Sequence, residues 1–243
     1  MSDDDSLFDS VRRTLTGPTP AERAATLKQR AADEPETLGE DDVATLVELL
    51  SADDEAAVGD ALHAIESVAD EQPQRAVRAA PAVVAGLSTR PGNVWSETRV
   101  REMSDEFFRD LARGSILLRL ARDDPAHLDS VTGELAAMYT GEEALEPQSL
   151  LALAHVVAAE PNRTDLDPGP FADWIETELT ATVESDTDEL QIRVAEPALY
   201  VELLASLAGA GATETLELVV AESEDADAVE AAERALDELG NES

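Results

Sequence analysis

Apolar residues recur along this chain at helical spacing, and the recurrence is punctuated four times by the same stop. The stops read RAADEP ending at Pro35, VADEQP ending at Pro73, LARDDP ending at Pro125 and VVAAEP ending at Pro161. Four residues before each proline stands Ala31, Ala69, Ala121 or Val157, and eight before it Leu27, Ile65, Leu117 or Leu153. Residues four and eight apart share one face of a helix, and proline cannot continue a helix. Each phrase therefore predicts an amphipathic helix that buries one stripe and ends at its proline. Recurrence at intervals of 36 to 52 residues predicts a stack of helical units rather than one enclosed core.

The remaining pattern fills in the elements. Residues 1–16 form an acidic tail in which Leu7, Val11 and Leu15 fall on one helical stripe. Thr19 and Pro20 have the chemistry of an N-cap and a first helical position, opening a helix to about Asp33. A second helix starts near Glu40 with Val43, Leu46, Val47, Leu49 and Leu50. A third follows Asp53, with Val58, Leu62, Ile65 and Val68 on one face. Its partner covers about 74–87 with Pro81 inside it or at a kink. The turn residues Pro91-Gly92-Asn93 mark a loop over 88–96. A long helix is expected from Ser96 to Asp123, interrupted near Gly114, then one from Pro125 to Met138. The most apolar helix covers 148–160, after the linker TGEEALEP. A loop over 162–170 precedes helices at about 171–183, 189–207, 212–222 and 225–239. The last carries a narrow stripe of Val229, Ala232, Leu236 and Leu239, as a terminal cap requires.

On the helix-pair period, the aliphatic stripe and the Ala-x-x-x-Pro breaks, residues 17–240 resemble the HEAT repeats, an irregular relative of armadillo arrays. The resemblance implies an all-α fold, an α-solenoid of about five antiparallel helix pairs over 17–243. It also implies protein–protein interaction through a concave face, with some members binding nucleic acid and a subset acting on chromophores or DNA bases. The chain departs from the family in lacking an evident Asp/Arg ladder and in the uneven spacing of its prolines.

Charge changes the picture of the surface. The chain of 243 residues carries 54 acidic side chains against 17 basic ones, a net charge of −37. All the basic residues but Lys28 are arginine. Such a composition resembles the proteins of extreme halophiles, whose carboxylate-rich surfaces stay hydrated in concentrated salt while screening suppresses self-repulsion. On that reading the acidity belongs to the host and says little about partners. There are no cysteines, which excludes disulfides, thiolate metal sites and cysteine nucleophiles. The N-terminus lacks the order of a signal peptide and no apolar run approaches the ~20 residues of a membrane span, so a cytoplasmic protein is expected.

Candidate chemistry is sparse. His63, His127 and His155 are isolated and match no metal spacing, and satisfied structural roles suit them. Gly209-Ala210-Gly211 lacks the Lys and Ser/Thr of a phosphate loop. No cofactor is called for. One window stands out. Seven of the sixteen arginines fall between Arg90 and Arg122, making the segment about +2 by count, together with Trp95, Phe107 and Phe108. Arginine and aromatics carry interface hot spots. The competing reading is internal ion pairing and core packing. The expected function is a non-catalytic scaffold or adaptor that binds a protein through Trp95, Arg99, Arg101, Arg109 and Arg113. The alternatives are a nucleic-acid-binding protein, including a repeat-type DNA glycosylase, and a regulatory subunit of an enzyme. Arginines lined along one face would favour nucleic acid; arginines paired with acids would favour packing.

Overall fold

A computed structural model describes residues 17–91, 104–139, 143–160, 165–184 and 196–241. The fold is all-α. In chain order the helices are α1 (Pro20–Asp33), α2 (Glu40–Leu49), α3 (Glu55–Glu71), α4 (Pro73–Ala76), α5 (Ala80–Ala85), α6 (Asp105–Asp123), α7 (Thr132–Met138), α8 (Pro147–Ala159), α9 (Gly169–Glu184), α10 (Pro197–Ala208), α11 (Thr213–Glu222) and α12 (Ala226–Asn241). Among the described residues the strand pairing is confined to β1 (Arg90–Pro91) and β2 (Glu143–Ala144), antiparallel, with Arg90 opposite Ala144. No helix among them is long and apolar enough to cross a membrane.

Helix starts follow local chemistry. Thr19 accepts from the Glu22 N–H at 3.2 Å while the Glu22 carboxylate accepts from the Thr19 N–H at 2.9 Å, a closed capping box with Pro20 behind it. Asp54 caps α3 through the N–H groups of Ala56 and Ala57, and Ser104 caps α6 through that of Phe107. Helix ends follow the proline phrases. α1, α3 and α6 stop at Asp33, Glu71 and Asp123, two residues before Pro35, Pro73 and Pro125. The intervening Glu34, Gln72 and Asp124 leave the α region, with φ of −147°, −144° and −158°. The proline ring disfavours the helical conformation of the residue before it. α8 ends at Ala159; Pro161 itself lies outside the described residues.

Contacts divide the chain into two compact units, 1–152 and 153–243, with the boundary inside α8. In the first unit α1 packs on α3 and α3 on α6, while α2 packs on α3 and α5 on α6. The phrases are also tied to one another. Gln72 donates to the Pro35 carbonyl at 2.9 Å, Arg75 to the carbonyls of Glu36 (3.2 Å) and Leu38 (2.7 Å), and Arg78 to that of Glu40 (2.9 Å). Gln74 donates to the Asp123 carboxylate at 2.9 Å. The side chains of the second break thus reach backbone carbonyls around the first. Small and branched residues fill the core: Ala24, Leu27, Ala31, Ala57, Ala61, Ile65, Val68, Ile116, Leu117 and Leu120 are buried. In the second unit α9, α10, α11 and α12 pack around Phe171, Ile175, Leu203, Leu204, Leu216 and Ala232.

Three expectations change, the first being the helix expected from Pro125 to Met138, which is a 3₁₀ turn over Pro125–Leu128 followed by α7. The helix expected over 74–87 is three pieces, α4, a 3₁₀ turn at Val77–Ala79, and α5, with Pro81 in the first turn of α5 where its missing N–H is harmless. α6 runs unbroken through Gly114, whose role lies in a close approach described below. Residues 1–16, with the tail stripe Leu7, Val11 and Leu15, lie outside the described residues.

Candidate functional site

Arg109, Arg113 and Arg119 of the arginine window are engaged with different acids. Trp95, Arg99 and Arg101 lie outside the described residues. Arg109 sits 3.4 Å from the Glu55 carboxylate. Arg113 is buried and bonds Asp110 at 3.1 Å, so it holds the interior together and is withdrawn from the surface assigned to it. Leu117 is buried as expected, and Leu111 is half-buried. Arg119 bonds Glu66 (3.0 Å) and Asp70 (2.9 Å) on α3. Phe107 enters the core, its ring edge-on to Phe108 at 6.2 Å. Phe108 is 51% exposed, the large hydrophobic side chain left on the surface among the described residues. Their i, i+1 placement on α6 separates them by about 100°, which forces one inward and one outward.

A surface groove of about 300 Å³ crosses α1, α3 and α6, lined by Lys28, Ala32, His63, Glu66, Asp70 and Arg119 among others. Its cations are engaged. Lys28 bonds Asp60 at 2.7 Å, Arg119 bridges to α3 as above, and Ser115 donates to Glu66 at 2.6 Å. These pairs fasten α1 to α3 and α3 to α6. His63 stands 3.7 Å from Glu66, and His127 bonds Asp123 at 2.8 Å. Among the described residues no group of three His, Cys, Asp or Glu could hold a metal ion.

A buried polar cluster joins three segments of the first unit. On α6, Asp110 is fully buried and receives hydrogen bonds from Arg113 and from the Ser88 hydroxyl. The Arg113 guanidinium passes over Gly86, where a Cβ would lie 2.6 Å from Nε. One turn along α6, Gly114 meets Glu146, the N-cap of α8. Glu146 is fully buried; its carboxyl accepts from the N–H groups of Gln148 (2.7 Å) and Ser149 (3.0 Å) and from the Ser149 hydroxyl (3.2 Å). A Cβ at Gly114 would lie 2.6 Å from the carboxyl carbon and 3.0 Å from the Ser149 nitrogen. Only a residue without a side chain lets α8 begin there. Burial raises the Glu146 carboxyl to about 8; the three hydrogen bonds pull it down and the charge of Asp110 pushes it up further. Burial likewise lowers Arg113, against the opposing pull of Asp110.

Sequence reasoning missed Glu146, Asp110 and Ser88 because acids and serines abound here and burial is invisible in composition. The legible signals were Gly114, inside an otherwise uninterrupted helical pattern, and an acid directly before Pro147 at the head of the most apolar helix. No protein-family model, curated protein or solved structure matches the chain.

Proposed function

We propose that this chain is a non-catalytic scaffold of HEAT-like helical repeats, built for concentrated salt, that binds a protein partner through the start of α6. The observation that carries the reading is Phe108, half exposed beside Arg109 on a helix otherwise fastened by buried and ion-paired residues. A rigidly held aromatic loses little entropy on docking and fills a partner's pocket. The sequence puts Trp95, Arg99 and Arg101 shortly before it. The linked proline breaks of the first unit support the repeat reading, since side chains of the second break bond backbone carbonyls around the first and Gln74 bonds Asp123 ahead of the third. Pairing of Arg109, Arg113 and Arg119 with acids supports packing over a nucleic-acid groove.

The test compares proteins retained by the immobilised chain and by Phe108→Asp in about 2 M potassium chloride, where surface charges are screened. A discrete set held by the first and lost from the second, with equal melting temperatures, is expected. Identical sets, or retention of nucleic acid by both, would refute the reading.

A further inference from the structure

We propose that the Glu146 carboxyl is a proton-operated latch that holds the first turn of α8 against the Gly114 face of α6. The argument starts from what surrounds the carboxyl. From its own helix come the N–H groups of Gln148 and Ser149 and the Ser149 hydroxyl. From α6 comes Asp110, also fully buried, with Arg113 bonded to it. From the segment after α5 comes Ser88, whose hydroxyl is spent on Asp110. Arg109 and Glu106 act on Arg113 from further along α6. The cluster therefore holds two carboxyls, and Arg113 is hydrogen-bonded to Asp110. With its proton on, Glu146 is neutral and the cluster balances. When the proton leaves to solvent, a second anion must stay in a dry compartment beside Asp110, or the turn must open and admit water.

The direction follows by linkage. An open α8 start exposes Glu146, whose carboxyl returns to the ordinary value near 4.5, against about 8 when docked. Below about pH 4.5 both forms hold the proton and docking is at full strength; as pH rises toward 8 only the docked form does. The docked-to-open ratio then falls by about tenfold per pH unit and levels off above the docked value. The N-terminal dipole of α8 favours the anion and reduces this slope without reversing it, because burial outweighs the hydrogen bonds in setting the docked value. The latched element is the helix through which the chain passes from the first compact unit to the second.

The test is amide hydrogen exchange on the full chain in about 2 M potassium chloride, read as protection factors so that the intrinsic rate divides out. The reporters are Ser149 and Leu150, whose N–H groups bond the Glu146 carboxyl and carbonyl. Their protection should fall by about tenfold per unit between roughly pH 5.5 and 7.5 and level off above 8, and stay level across the range in Glu146→Gln. Level protection in the wild type, or an equal fall in the variant, would overturn the latch. Should the variant fail to fold, carbon-13 titration of the Glu146 carboxyl in the wild type decides. A midpoint well above the surface carboxylates supports the latch, and one among them overturns it.

Discussion

Gly114→Ala and Gly59→Ala make the same chemical change in two helix interiors, and the structure predicts opposite outcomes. At Gly59, in α3, a Cβ would meet nothing within 4 Å. Replacing a helical glycine in open space gains about 0.5–1 kcal/mol, from helix propensity and a less free unfolded chain. Gly114 gains the same amount, but its Cβ would overlap the Glu146 carboxyl and crowd the Ser149 backbone at 3.0 Å. The carboxyl can swing aside only by giving up its capping bonds, about 1 kcal/mol. The backbone contact adds overpacking of about 1–3 kcal/mol. The balance is a loss of about 1–3 kcal/mol at Gly114 and a gain at Gly59. Urea melts of both variants in about 2 M potassium chloride measure the difference. Gly114→Ala should cost less in a Glu146→Ala background than in the wild type, since the capping bonds are already gone there and the two residues contend for one space. A Gly114→Ala chain as stable as the wild type would refute the close approach, and with it the reason α6 carries glycine there.

Other expectations follow from the same geometry. Asp110→Ala leaves the Arg113 guanidinium buried without its bonded carboxylate and should cost about 3–5 kcal/mol, read by denaturant melts; a loss below about 1 kcal/mol would contradict the cluster. With a net charge of −37, thermal stability should climb as potassium chloride goes from about 0.1 M to 2 M, and a flat profile would remove the halophile reading. Phe108→Asp should leave the melting temperature nearly unchanged because the side chain is half exposed; a large drop would show it buried against neighbours.

Most of the helical order was legible because its causes are local. Thr19, Pro20 and Glu22 close a capping box within four residues, and Pro35, Pro73 and Pro125 act on the residue just before them. The break expected at Gly114 was misplaced because a glycine in a helical pattern has two meanings, a stop or a close approach. The partner in that approach, Glu146, lies 32 positions away. The arginine window was read as one surface because its members are close in sequence. A helix turns about 100° per residue, so the consecutive Phe107, Phe108 and Arg109 go to different sides. The pairing of Arg109 with Glu55 and of Arg119 with Glu66 depends on how α3 meets α6, and no periodicity encodes that.

The central claim is a protein-binding face at the start of α6. Photocrosslinking tests it most directly, with a light-activated residue placed at Phe108 and, as control, at Glu233, an exposed position on α12. In native extract at high salt, position 108 should yield a discrete adduct with one protein and position 233 should not. The same adducts from both positions, none from 108, or an adduct with nucleic acid would contradict the account.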